Sequence, residues 1–65
     1  MTRGEEEVHR LIHEVRTPLA VIAGYAELLK TRPGELDAVD AAGRILEAAD
    51  RLSALITELA EACAT

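Results

Sequence analysis

His13-Glu14-Val15-Arg16-Thr17-Pro18-Leu19, running on into Ala20-Val21-Ile22-Ala23-Gly24-Tyr25-Ala26-Glu27-Leu28-Leu29, is the stretch on which the fold turns. Apolar residues recur at Val8, Leu11, Ile12, Val15, Leu19, Ile22, Ala26 and Leu29, the three-and-four spacing of one helix face. At roughly 100° per residue this face centres on Val15, and His13 lies roughly 160° away from it. A lone histidine near an apolar stripe is usually a core residue, but this phase sends His13 to solvent. Arg10 and Thr17 lie one turn to either side of it, so its neighbours are polar. Ala20 and Gly24 continue the same side with almost no side chain, which leaves room for another molecule to approach.

Working outward, Pro18 falls inside the pattern and has no N–H to give to the carbonyl of residue 14. The apolar phase nevertheless runs unbroken through it, which predicts a kinked but continuous first helix over about residues 4 to 31. Thr2-Arg3-Gly4-Glu5 fits a capping box, and Glu5-Glu6-Glu7 complements the positive end of that helix. Thr31-Arg32-Pro33-Gly34 is the strong breaker cluster and predicts a turn at about 32 to 34. A second helix follows over about residues 35 to 63, with Asp37-Ala38-Val39-Asp40 as an alternative start. Its seam reads Ala42, Ile45, Ala49, Leu52, Ile56, Leu59 and Cys63, interrupted by Gly43 at a cost of about 1 kcal/mol.

A loop this short makes the two helices antiparallel neighbours. The expected fold is therefore all-α: one domain spanning the 65 residues, an antiparallel two-helix hairpin. A chain of this length rarely supplies a sufficient core alone, and with no Trp or Phe and one Tyr its core must be aliphatic. Pairing of two hairpins into a four-helix bundle would close the open side.

Seven basic against twelve acidic residues give a net charge of −5, which opposes binding to a phosphate backbone and argues against a nucleic-acid partner. The apolar runs fall far short of the ~20 residues that span a bilayer, and no secretory signal opens the chain, so no membrane insertion is expected. This places the chain in the cytoplasm, whether or not a larger parent carries a membrane anchor. The single cysteine, Cys63, has no internal disulfide partner and reads as a small apolar residue on the inner face of the second helix. His9 and His13 stand at the i and i+4 spacing that can chelate a metal, but without a Cys nearby or a His-Glu-x-x-His order, so no metal site is expected.

The His13–Leu19 run resembles the phosphoacceptor box of sensor histidine kinases, His-Glu-x-Arg-Thr-Pro-Leu, with all six fixed positions present. Ile22 to Leu29 is similar to the helix that follows that box, and Ile45 to Leu52 resembles the second helix of the same domain. The likeness covers nearly the whole chain. It implies the dimerisation and histidine phosphoacceptor domain of a two-component sensor kinase, again a four-helix dimer. His13 would be the phosphorylated residue, Glu14 the base that orients and assists it, and Thr17 the residue that positions water when the phosphorylated partner is dephosphorylated. Arg16 and Pro18 would shape the box. The pattern departs from the family at Glu7, Arg10 and Ile12, where an aromatic residue, Asp or Asn, and Ser are common. Arg10 would attract phosphate or pair with Glu6 or Glu14.

The chemistry suits an imidazole, whose ordinary pKa leaves a nitrogen lone pair available at neutral pH while the other nitrogen holds a proton. Val21 and Leu28, on the flank opposite the stripe and beside Ala20 and Gly24, are expected to form an apolar landing patch for a receiver domain, with Arg10 and Arg16 completing the partner-binding set. No phosphate-cradling loop or magnesium cluster is visible, so no cofactor is expected on this chain. ATP and magnesium would sit on a separate kinase domain, and the chain alone would not autophosphorylate. Its expected partners are a second copy, that kinase domain and a receiver carrying a phosphorylatable aspartate. The alternative is a non-catalytic dimeric helical module that binds or regulates a histidine kinase.

Overall fold

The computed structural model describes residues 3–64, which form two helices, α1 over Arg3–Thr31 and α2 over Ala38–Ala64, packed along their lengths as a hairpin. The Thr2 cap read from the sequence lies outside the described residues. Pro18 stands inside α1, which continues through it. A proline ring costs a helix one hydrogen bond, here the one the Glu14 carbonyl would accept. In this chain the ring is buried, so packing offsets part of that loss.

The link between the helices is built from local hydrogen bonds. The Arg32 amide donates to the Leu28 carbonyl at 2.7 Å and the Glu35 amide to the Arg32 carbonyl at 3.0 Å. Pro33 disfavours helical backbone at Arg32, and α1 stops at Thr31. The second helix starts at Ala38, the later of the two starts weighed and three residues beyond 35. The cause is a cap: Asp37 Oδ1 accepts from the Val39 amide at 2.9 Å and from the Asp40 amide at 3.2 Å. Those are orphan donors of a helix first turn. Leu36 and Ala41 stand at the two positions joined by a hydrophobic staple; the former is half-buried and the latter buried.

The packed seam is displaced from the one read in the sequence. Leu11 and Pro18 are the buried residues of α1, and Ala41, Ala48 and Leu55 those of α2. Val15, expected at the centre, is half-buried, because Pro18 lies about 60° round the helix from it. Ile12 and Leu19 are 43% and 51% exposed, and on α2 Ile56 is 52% exposed. Ala42 and Cys63 are exposed as well, so Cys63 does not belong to the inner face of the hairpin. The physical reason is width: each apolar stripe is broader than one helix–helix seam, and the hairpin covers one flank of it.

The molecule measures 49 × 17 × 11 Å, a layer about one helix thick. In an antiparallel pair, residues on corresponding flanks of the two helices share one face of that layer. Helical phase puts Ile12, Leu19, Ala42 and Ile56 on one face, and Glu14, Thr17, Val21, Arg44, Glu47 and Arg51 on the other. The first face is apolar and open, and the second is polar.

Leu55→Ala removes one of the two largest fully buried side chains and is expected to cost about 2–5 kcal/mol, enough to abolish the thermal transition of so small a fold. Asp37→Ala is expected to cost about 1 kcal/mol through the lost cap. At Gly43 an added Cβ meets nothing within 4 Å, so Gly43→Ala is expected to gain up to about 1 kcal/mol in helix propensity. Thermal unfolding followed by circular dichroism checks all three, and a destabilising Gly43→Ala would contradict the open placement of that residue.

Candidate functional site

The buried Pro18 ring fixes the rotational setting of α1. With Pro18 turned toward α2, His13, five residues earlier, lies about 140° round from it and faces outward. His13 is exposed, and among the described residues its side chain has no hydrogen bond or ion pair. Thr17 and Ala20 follow on the same side and are also exposed. At Gly24 an added Cβ would meet nothing within 4 Å, so its missing side chain is not required by packing within the hairpin. Val21 and Leu28, 37% exposed each, occupy the neighbouring strip of α1.

Glu14 is engaged with Arg10. Nη1 of Arg10 donates to Glu14 Oε1 at 2.9 Å, and Nη2 donates to Glu7. The partners of Arg10 are thus Glu14, as one expectation had it, and Glu7 in place of Glu6. Glu7 and then Glu14 push the guanidinium further above its already high range, so Arg10 is a permanent cation. Arg16 is exposed and has no ion pair among the described residues. It lies about 160° round from Pro18, on the side of α1 remote from α2.

Beside His13 the two helices leave an open groove of about 610 Å³. From α1 it takes Glu14, Thr17, Pro18, Val21 and Tyr25; from α2 it takes Arg44, Glu47, Ala48 and Arg51. Its floor holds the buried Pro18 and Ala48, and its walls carry two cations and two anions. Arg51 forms no ion pair among the described residues, and the pair of Arg44 with Asp40 is loose, at 3.9 Å between exposed groups. His13 itself stands past the α1 wall, outside the lining. The groove thus joins Glu14, Thr17 and Val21, while Arg10, Arg16, Ala20, Gly24 and Leu28 stay outside it.

Sequence reading missed Tyr25, Arg44, Glu47 and Arg51. Arg44, Glu47 and Arg51 follow spacings of three and four on one flank of α2, which reads as a solvated charge row. The signal that could have found them is register. With Pro18 and Ala48 lining one groove, the charged flank of α2 at Arg44, Glu47 and Arg51 stands beside the box.

Among the described residues no group of three or more His, Cys, Asp or Glu could hold a metal ion. No helix among them is long and apolar enough to cross a membrane.

No curated protein and no solved structure matches the chain. The family model of the His Kinase A (phospho-acceptor) domain matches residues 5–62, which includes the box at His13, most of both helices and all residues lining the groove beside it. The chain is therefore a member of the His Kinase A phospho-acceptor domain family, whose role is histidine phosphoacceptance and dimerisation in two-component kinases.

Proposed function

We propose that His13 takes a phosphoryl group from ATP held by a separate kinase domain, with its magnesium, and passes it to the aspartate of a receiver domain. The observation that carries this reading is an outward imidazole with no bonding partner among the described residues, in the box of a chain from this family. In the loading step one ring nitrogen attacks the γ-phosphorus, the bond to the bridging oxygen of ADP breaks, and ADP leaves. The proton on the other ring nitrogen is held by the Glu14 carboxylate. In the second step the P–N bond breaks as an aspartate oxygen attacks phosphorus, and the imidazole returns to its starting state. Catalysis of this kind is mainly positioning. Thr17, at the groove wall one turn from His13, is placed in this reading to orient water when the receiver is dephosphorylated.

The receiver docks in the groove on the polar face, where Val21 and the Pro18–Ala48 floor give apolar contact and Arg44, Glu47 and Arg51 set charge complementarity. The open apolar face carries a second copy of the chain, with Ile12, Leu19 and Ile56 meeting their counterparts, and the dimer is a four-helix bundle. The two functions then use opposite faces of one layer, and the setting is the cytoplasm.

Incubation with an ATP-binding histidine kinase domain and labelled ATP is expected to give an acid-labile, base-stable label on the wild-type chain and none on His13→Gln. Label retained in His13→Gln, or no label on a folded wild-type chain with kinase domains that load other members of the family, would sink the assignment. Val21→Glu, which places a charge in the apolar part of the groove, is expected to leave the label on His13 intact. Its transfer to a receiver that accepts phosphate from the wild type should fall by about tenfold or more, the equivalent of about 1.4 kcal/mol. Unchanged transfer would remove the groove as the docking site.

A further inference from the structure

We infer that Arg10 is a positioning residue: through the Glu7–Arg10–Glu14 bridge it holds the Glu14 carboxylate away from the His13 imidazole, and release of that bridge sets how readily His13 is loaded. The inference deepens the proposed function and rests on it. Glu14 is adjacent to His13 in sequence and about 100° round the helix, so it reaches the imidazole only by choice of rotamer. In the structure that choice is made by Arg10. Its guanidinium donates to Glu14 Oε1 at 2.9 Å and, with its other terminal nitrogen, to Glu7. The imidazole of His13, three residues beyond Arg10, has no hydrogen bond among the described residues.

The helical phase of Arg10 lies between those of Glu14 and His13, one turn toward the N-terminus. A fork anchored on Glu7 therefore directs the Glu14 carboxylate toward the preceding turn, bonded to the guanidinium and not to the imidazole. The two residues that build the bridge with Glu14 are Glu7 and Arg10, two of the three positions at which this chain departs from the box's usual surroundings. Across the groove Arg44, Glu47 and Arg51 of α2 also face Glu14. Their charges act on Glu14 in every variant below and cancel from the comparison.

The bridge is exposed, with Arg10 and Glu14 side chains 49% and 37% accessible, so its effect on stability is small and its removal leaves the fold intact. Its effect on the imidazole is measurable. Titration of the His13 ring protons by NMR in the wild type, Arg10→Gln, Glu14→Gln and the double variant forms a cycle. Loss of the Arg10 charge alone raises the His13 pKa equally whether residue 14 is Glu or Gln. A carboxylate released onto the imidazole adds a further rise only when residue 14 is Glu, expected at about 0.3 pH unit. Equal rises in the two backgrounds, or none, would overturn the inference.

With the excess rise present, Arg10→Gln is expected to accept label from an ATP-bearing kinase domain about twofold faster than the wild type. An equal or slower rate would overturn the link to loading. A chain that takes no label in any variant would remove the proposed function while leaving the titration result as it stands.

Discussion

Two helices in one layer can cover only one flank of each apolar stripe. At 11 Å in its shortest dimension the hairpin has no interior in the usual sense. Leu11, Pro18, Ala41, Ala48 and Leu55 are its buried residues, against a chain whose backbone ordering alone costs on the order of 1–2 kcal/mol per residue. The uncovered flank, with Ile12, Leu19 and Ile56 about half exposed, is aliphatic surface that water disfavours at about 25 cal/mol per Å². In the proposed dimer a second copy supplies the missing cover at no cost in new sequence, because a two-fold interface uses the same patch twice.

That constraint also bears on where the proposed chemistry sits. With one flank of each helix committed to the apolar face, the other flank is left for polar groups, and there α1 and α2 form the groove of Glu14, Thr17, Val21, Arg44, Glu47 and Arg51. Pro18 links the two arrangements. Its ring lies in the seam, and with that setting of α1 His13 faces outward. The carbonyl it leaves without a helical donor belongs to Glu14, the residue whose side chain Arg10 engages.

The fold was largely legible in the sequence. Apolar spacing through Pro18, the Arg32-Pro33-Gly34 breakers and the short link to Asp37 are enough for a helical hairpin. The phase of the seam was not, because a stripe that serves both a hairpin contact and an open face has its centre between them. Val15 marks that centre, whereas Pro18 marks the packed side. The outward placement of His13 was legible from phase alone. The α2 side of the groove was not, since Arg44, Glu47 and Arg51 gain meaning only once the packed hairpin places them in one groove with Pro18. Nor was Arg10's choice of Glu7 over Glu6, which side-chain reach decides and periodicity does not.

The most direct measurement of the central claim is sedimentation equilibrium of the wild-type chain across the micromolar range, with helicity followed by circular dichroism at each concentration. Shared use of one apolar stripe by the hairpin and its copy predicts a helical dimer whose midpoint of thermal unfolding falls on dilution, with helix lost as the dimer dissociates. A helical monomer at micromolar concentration, with an unfolding midpoint independent of dilution, would contradict the account.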